Sequence, residues 1–195
     1  MLTYEIQGLI PVISDKAFIH NTAVIIGDVF IAEGAYIGPN TSIRGDFGRI
    51  IIGKNANIQD GCILHGYTDI DTIVEENGHI GHGAILHSCH IKYNAMVGMA
   101  AVIMDGAVVG KNSIIGAFSL VPAKMEIPDN HLAFGVPAKV KKELSAQEIA
   151  WKVENTQSYI DLTSRCLKDY KLCKALKRSD IDRDKQRFHM EYKPK

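Results

Sequence analysis

The sequence predicts an all-β protein, a left-handed parallel β-helix of hexapeptide repeats that is followed by a C-terminal α-helix. Three observations predict it. Large aliphatic residues recur at every sixth position, small residues recur four positions after them, and glycine or asparagine recurs where such a coil must turn. A period of six matches neither an amphipathic helix, with 3.6 residues per turn, nor a half-buried strand, with two. It is typical of a coil whose short strands meet at sharp corners.

The aliphatic positions fall into two runs, and we expect their side chains to point into the coil. The runs are Ile13, Ile19, Ile25, Ile31, Ile37, Ile43, Ile52, Ile58 and Leu64, and then Ile85, Ile91, Val97, Ile103, Val109, Ile115 and Val121. Residues suited to turns with a positive φ are Gly27, Gly34, Gly38, Asn40, Gly53, Asn55, Gly110 and Asn112. The β-helix is predicted over residues 8–143. An ordinary β-sandwich is the alternative, and the long run on one spacing disfavours it.

A helix is predicted after the coil, within residues 144–178. Ser145 and Glu148 form a capping box, and Leu144 and Ile149 suit a hydrophobic staple. We expect this helix to cover the end of the β-helix, where strand edges would otherwise stay unpaired. Residues 179–195 are charged and almost without aliphatic side chains, so we expect a mobile tail there.

The composition indicates a soluble globular protein. Hydrophobic residues make up 46% of the 195 residues, and the formal net charge is zero. Neutrality argues against a partner that is a nucleic acid or an anionic membrane. No apolar run is long enough to span a membrane, and the N-terminus lacks the features of a signal peptide, so we expect a cytoplasmic protein. The four cysteines are expected to be reduced thiols, and no Cys-x-x-Cys pair indicates a thiolate zinc site.

The spacing of the coils predicts a column of outward-facing polar residues. Because side chains alternate along a strand, the residue after each inward aliphatic points outward. Leu64 and Leu86 are 22 residues apart, which is one coil of about eighteen residues with a short inserted loop. With the loops discounted, Arg44, His65 and His87 lie in one outward-facing column.

Two histidines in adjacent coils are candidates for a shared metal. His65 and His87 should lie about 4.8 Å apart, a strand spacing that suits two imidazoles bound to one ion. His82 lies near another corner, so a neighbouring subunit could supply it. Three histidines and a water form the open arrangement of catalytic zinc. Alternatively, each of these histidines is an ordinary surface residue.

Other polar residues near the column also have two interpretations. Arg44 and Asp46 could form a surface ion pair, which would contribute little stability. Gln59 and Asp60 could be turn residues.

Taken together, these residues resemble the signature of the γ-class carbonic anhydrases. The matching motifs are Arg44-Gly-Asp46, Asn57-Ile-Gln59-Asp60 with His65 six residues after Gln59, and Gly81-His82 with His87 five residues after His82. The resemblance covers about residues 8–145. It implies that His65, His82 and His87 bind a metal, zinc by expectation, with Fe2+ or Co2+ as alternatives, and that His82 comes from the neighbouring subunit of a homotrimer.

The same resemblance implies roles for the candidate catalytic residues. Gln59 would lie near the metal-bound water, and Arg44 and Asp60 would form the salt-bridged contact between subunits. Asp46 belongs to the same motif as Arg44. One position departs from the pattern, because Phe47 stands where the prototype has a glutamate that shuttles protons. We therefore expect weak CO2 hydration.

Within the γ-class-like proteins, three further segments resemble the CaiE (carnitine operon) and PaaY (phenylacetic acid degradation) proteins. These segments are residues 60–66, 76–87 and 102–108, together with the predicted helical tail. The PaaY resemblance implies hydrolysis of CoA thioesters, and the CaiE resemblance implies a link to carnitine metabolism. Residues 135–139 resemble the segment that closes many hexapeptide acyltransferases.

The leading hypothesis is therefore a metal-dependent hydrolase of the CaiE/PaaY type. A metal-bound hydroxide would attack the carbonyl of an acyl-CoA thioester, and Gln59 would orient the water. Three alternatives stay open: a γ-carbonic anhydrase acting on CO2 and bicarbonate, a CoA-dependent acyltransferase, and a non-catalytic trimeric assembly protein. One scaffold hosts many chemistries, so the fold alone does not choose among them.

Overall fold

The computed structural model describes residues 1–177, so the predicted tail at residues 179–195 lies outside the described residues. Over residues 1–177 the chain forms a parallel β-solenoid of about seven turns, followed by one α-helix. The predicted fold class, a parallel β-helix of hexapeptide repeats with a C-terminal helix, is confirmed.

Most strands have only two or three residues, because each hexapeptide must turn a corner before the next begins. The strands of the first coils are β1 (Leu2–Tyr4), β2 (Val12–Ile13), β3 (Phe18–Ile19), β4 (Val24–Ile31), β5 (Tyr36–Ile37), β6 (Ser42–Ile52), β7 (Asn57–Ile58), β8 (Ile63–His65), β9 (Thr72–Val74) and β10 (His79–Ile80). The remaining elements are β11 (Ile85–His87), β12 (His90–Ile91), β13 (Met96–Val97), β14 (Val102–Ile103), β15 (Val108–Val109), β16 (Ile114–Ile115), β17 (Leu120–Val121), β18 (Glu126–Ile127), β19 (His131–Gly135), β20 (Ala138–Glu143) and α1 (Ala146–Asp169).

Two sheets form the three faces of the coil. The first sheet has 12 strands and covers two faces, because β4 and β6 are long enough to continue around a corner. We name the face that contains β8, β11, β14 and β17 the histidine face. The second sheet has 8 strands in the order β20-β19-β16-β13-β10-β7-β5-β3, and we name it the helix face. Within residues 1–177, β19 and β20 are the antiparallel pair of neighbouring strands, and all other strand pairs are parallel.

The aliphatic positions of the repeat form the core. From Ile25 onward their side chains are almost completely buried, and so are the small residues between them. Ile85 is the exception: the prediction that it points inward is wrong, because its side chain is only partly buried and the next residue, Leu86, occupies the core position. Ile13 and Ile19 are only partly buried, because they belong to the first coil, where no strand of residues 1–177 pairs with the outer side of β2 or β3. Truncating one buried isoleucine to alanine in such a core costs about 2–5 kcal/mol. The six-residue period of the sequence therefore stabilises the coil, because it buries one large side chain per strand.

The corners of the coil use two kinds of residue. Asparagines at one corner adopt a positive φ, as predicted for Asn55 and Asn112, and so does Gly34. The same prediction is wrong for Gly38, Gly53 and Gly110, whose φ is not positive. These glycines are needed for space, since a Cβ on Gly53 would lie 2.6 Å from the backbone of the next coil.

Helix α1 begins with the predicted capping box and lies along the side of the coil. The Ser145 hydroxyl accepts a hydrogen bond from the Glu148 backbone, and the Glu148 carboxylate accepts one from the Ser145 backbone. The helix ends at Asp169, before the end of the predicted segment 144–178, and residues 170–177 have no regular structure. The expectation that it covers the coil end is wrong, because the edge of β19 is paired with β20 instead. No helix within residues 1–177 is long and apolar enough to cross a membrane.

A buried lysine attaches α1 to the coil. Lys152 Nζ donates hydrogen bonds to the Asn77 carbonyl and to Asn94 Oδ1, both at 2.6 Å. Asn94 belongs to a ladder in which its side-chain amide donates to Asn112 and that of Asn112 donates to Asn130, each at 2.8 Å. Burial lowers the pKa of Lys152 to about 7. The helix is therefore fixed to the corner of the coil at which the asparagines stack.

Candidate functional site

His65 and His87 lie side by side on the histidine face. They are register partners on β8 and β11, which confirms the pairing predicted from the coil spacing. Leu64 and Leu86, which precede them, are fully buried, so both imidazoles point outward. His65 Nδ1 lies 3.3 Å from His87 Nε2. Two nitrogens bound at about 2.0–2.1 Å to one tetrahedral zinc ion would be separated by about 3.3 Å. The spacing of this pair therefore fits a shared metal.

The outer nitrogens of the same two rings contact aspartates. His65 Nε2 lies 2.9 Å from Asp46 Oδ1, and His87 Nδ1 lies 2.5 Å from Asp105 Oδ1. When each neutral ring donates its N–H to its aspartate, the two nitrogens that face each other both carry lone pairs. Lone pairs at this distance repel unless a proton or a cation lies between them. Metal-binding histidines commonly donate their second ring nitrogen to a carboxylate in this way.

His82 lies at the corner between the helix face and the histidine face, away from the pair. Its Nδ1 is 3.0 Å from Asp60 Oδ2, and its side chain is 46% exposed. Its Nε2 has no hydrogen-bond partner within residues 1–177. In that described part of one chain, no three histidine, cysteine or carboxylate side chains form a group that could hold a metal. The supply of His82 by a neighbouring subunit stays a prediction.

Arg44 and Asp46 form an ion pair beside His65. Arg44 Nη1 lies 3.4 Å from Asp46 Oδ2, and the arginine side chain is partly exposed. Asp46 therefore connects Arg44 to His65 through its two oxygens. Arg44 and Asp60 do not pair within one chain, because Asp60 is at the corner with His82, and their contact across subunits stays a prediction.

Gln59 belongs to the helix face and is only 3% exposed. Its Nε2 donates to Asn57 Oδ1 at 3.0 Å and faces His79 Nε2 at 2.8 Å. Within residues 1–177 its Oε1 has no hydrogen-bond partner, since both side-chain hydrogen bonds of Gln59 use Nε2. Because a corner separates Gln59 from His65, the two could meet only where two copies of the chain pack together.

Two exposed aromatic rings flank the histidine pair. Phe47 is 65% exposed, and its ring centroid lies 5.4 Å from that of His65. Tyr67 is 60% exposed, and its ring lies edge-on to His87 at 5.3 Å. Aspartates therefore contact the outer nitrogens of the histidine pair, and two apolar aromatic rings lie beside it.

The sequence reasoning missed Asp105, His79 and Tyr67. Asp105 follows His87 by 18 residues, so the length of one coil could have indicated it. His79 has a similar signal, because it follows Asn57 by 22 residues and is its register partner, as His87 is of His65. Tyr67 carries no such signal, because it lies in a loop.

Comparisons with known proteins identify close relatives. No family model matches the chain. It is 50% identical over 195 residues to the carnitine operon protein CaiE of a Proteus species, covering 100% of this chain and 99% of that protein. It is 55% identical over 166 residues to CaiE of Escherichia coli, covering 85% of each.

Solved structures show the same fold. A Bacillus cereus protein described as a candidate acetyltransferase is 41% identical, with a TM-score of 0.84 and coverage of 85% of this chain and 96% of that one. A hexapeptide transferase family protein from Anaplasma phagocytophilum is 35% identical, with a TM-score of 0.81 and coverage of 84% and 96%.

Proposed function

Because the chain belongs to the CaiE family of carnitine operon proteins, we propose that it is a metal-dependent hydrolase of acyl-CoA thioesters that works as a homotrimer. One observation carries the proposal. Each of the three candidate ligand histidines has one ring nitrogen held by an aspartate, so the other nitrogen is left as a donor for a metal. Three neutral imidazoles suit zinc, and they also suit iron or cobalt.

The subunit arrangement follows from where the histidines lie. His65 and His87 supply two nitrogens from the histidine face of one chain, and His82 is exposed at a corner and faces away from them. A cyclic trimer would bring the corner of one copy against the histidine face of the next. Gln59 lies on the same side of the corner as His82, so it would enter the site from the same neighbouring copy.

The chain's own side chains would bind and orient the reactants. When bound, a divalent metal supplies Lewis acidity, which makes water nucleophilic near neutral pH. Gln59 Oε1 would accept a hydrogen bond from the attacking water and aim its oxygen at the thioester carbonyl. The exposed rings of Phe47 and Tyr67 would contact the apolar part of the acyl group and exclude bulk water.

Hydrolysis balances without a further reactant. The water oxygen forms a bond to the carbonyl carbon, and the carbon–sulfur bond breaks. One proton of the water ends on the thiol, and the other is released from the carboxylic acid.

The acyltransferase alternative has support from the names of two similar structures, at 41% and 35% identity. The two reactions differ in the acceptor of the acyl group, which is water in one and an amine or alcohol in the other. Carbonic anhydrase activity is disfavoured by Phe47, whose ring sits against His65 and has no proton to transfer.

The test is a panel of acyl-CoA thioesters offered to the full-length, zinc-loaded protein without a histidine tag, with release of free CoA followed by chromatography. We expect release in water alone, lost in His87→Ala and retained in His90→Ala, a control on another face whose ring pairs with Glu75. Release only after an amine or alcohol is added would favour the acyltransferase. No turnover of any thioester while the metal is bound would favour the assembly protein.

A further inference from the structure

Three buried polar side chains form a closed triangle beneath α1. Asn57, Gln59 and His79 are each less than 10% exposed, and Tyr159 of the helix covers the His79 ring edge-on at 5.4 Å. The Gln59 amide nitrogen lies 2.8 Å from His79 Nε2 and 3.0 Å from Asn57 Oδ1. The third side, from Asn57 Nδ2 to His79 Nδ1, is longer, at 3.2 Å.

The triangle can form three hydrogen bonds only if His79 is charged and both amides are reversed, so that Gln59 Oε1 and Asn57 Oδ1 face the imidazole. Gln59 uses the same atom toward both neighbours, whereas Asn57 uses its oxygen toward one and its nitrogen toward the other. A neutral imidazole has one N–H and one lone pair. Whichever nitrogen of His79 carries the proton, one side of the triangle then pairs two donors or two acceptors.

The surroundings keep the imidazole of His79 neutral. Burial is the main cause and the neighbouring Lys152 acts in the same direction, and together they lower the pKa of His79 to about 3. Two of the three sides are therefore hydrogen bonds, and the two short sides are those that meet at Gln59. In this arrangement His79 Nε2 is the lone-pair acceptor and Nδ1 carries the proton. Both N–H groups of Gln59 then point into the triangle.

We propose that His79 is a positioning residue, whose Nδ1–H tautomer holds the Gln59 amide with its nitrogen inward and its Oε1 outward, as the acceptor that orients the reacting water. To keep both hydrogen bonds at Gln59, the reversed amide would need the Nε2–H tautomer together with a reversed Asn57 amide, and Gln59 would then present a donor. The tautomer of one buried histidine thus decides whether Gln59 offers an acceptor or a donor. The role of Oε1 rests on the proposed function, whereas the tautomer and the amide orientation do not.

The first test reads the triangle directly. In full-length protein labelled with 15N-histidine, the histidine whose signal is lost in His79→Gln should show the long-range proton–nitrogen couplings of an Nδ1–H tautomer. The side-chain amide protons of Gln59 should exchange slowly in the unaltered protein and rapidly in His79→Phe. An Nε2–H tautomer, or slow exchange that persists in His79→Phe, would overturn the proposal. This measurement needs no substrate, so it stands even if no thioester is hydrolysed.

The second test separates positioning from packing. His79→Phe keeps an aromatic ring against Tyr159 and removes the acceptor, whereas His79→Gln can return an acceptor oxygen to the same place. With a hydrolysed thioester, kcat should fall between about 10-fold and 100-fold in His79→Phe with little change in KM, and His79→Gln should recover most of it. The zinc content and the melting temperature of both variants are measured together with kcat and KM. Equal kcat in the unaltered protein and in folded, zinc-loaded His79→Phe would contradict the proposal.

Discussion

His87 Nδ1 lies 2.5 Å from Asp105 Oδ1, on an aspartate at the corner one coil further along the chain. An imidazole N–H that donates to a carboxylate forms a charge-assisted hydrogen bond, which fixes the ring and leaves Nε2 facing His65. We expect Asp105→Asn to weaken zinc affinity about 10-fold to 100-fold, because an amide holds the imidazole less strongly than a carboxylate does. Competition with a chromophoric chelator measures the affinity.

Asp129→Asn is a matched control for that change. Asp129 also lies at a corner of the coil, where its carboxylate accepts a hydrogen bond from the Lys111 backbone and none from an imidazole. Zinc affinity should stay unchanged in this variant. Unchanged affinity in Asp105→Asn as well would mean that the aspartate does not support a metal ligand.

Removing His82 should release the metal and leave the fold intact. The side chain is 46% exposed and, in the described part of the chain, pairs with Asp60 alone, so its truncation creates no core cavity. His82→Ala should contain little zinc by elemental analysis and should melt close to the metal-free unaltered protein. His90→Ala should keep its zinc. A His82→Ala protein with a full complement of zinc would exclude His82 as a ligand.

Mixed oligomers test whether the site is shared between subunits. Light scattering should give a mass near three chains of 21.5 kDa each. His65→Ala and His82→Ala should each fail to bind zinc alone, whereas trimers that contain both variants should regain about one site. That site is formed where the intact His65 of one copy meets the intact His82 of the next. A monomeric mass, or mixed trimers without zinc, would contradict the shared site.

The Lys152 anchor makes stability depend on pH. The pKa of Lys152 is lowered to about 7, whereas an unfolded lysine titrates near about 10.4. Between these values the unfolded state holds a proton that the native state lacks, so the free energy of unfolding rises with pH over this range. From pH 7 to pH 9 the rise from this one group should be about 2 kcal/mol.

Lys152→Met isolates this contribution, since it keeps most of the side-chain volume and removes the titration. Urea unfolding of both proteins is measured at pH 7 and pH 9, at one protein concentration. The unaltered protein should gain stability relative to Lys152→Met as the pH rises. A difference that is the same at both pH values would show that Lys152 titrates normally.

The coil could be predicted from the sequence because its information is local. A buried isoleucine such as Ile43 or Ile58 marks the inward direction of its own strand, and counting from one to the next gives the register. The position of α1 could not be predicted in this way. It depends on Lys152 reaching Asn77 and Asn94, residues that are 75 and 58 positions away along the chain.

The same division applies to the candidate site. The pairing of His65 with His87 follows from register alone and was predicted. The prediction that Gln59 lies near the metal is not met within one chain, because the direction of its side chain is set by His79 and Asn57 beneath the helix. Contacts between copies are formed by surface residues. The repeat pattern identifies the inward residues, so it contains little information about the surface contacts.

Phe47 allows the hydrolase and the carbonic anhydrase to be separated by one substitution. Its exposed ring lies against His65, at the place where the γ-class resemblance implies a proton-shuttling carboxylate. The unaltered protein should therefore hydrate CO2 slowly in dilute buffer. Phe47→Glu should raise that rate more at low buffer concentration than at high, because external buffer replaces an internal shuttle, and stopped-flow pH-indicator measurements compare the two conditions. Phe47→Gln is the control, since it matches the shape of glutamate without a titrating proton and should leave the rate low. Fast CO2 hydration by the unaltered protein in dilute buffer would make the shuttle argument wrong and favour the anhydrase over the thioesterase.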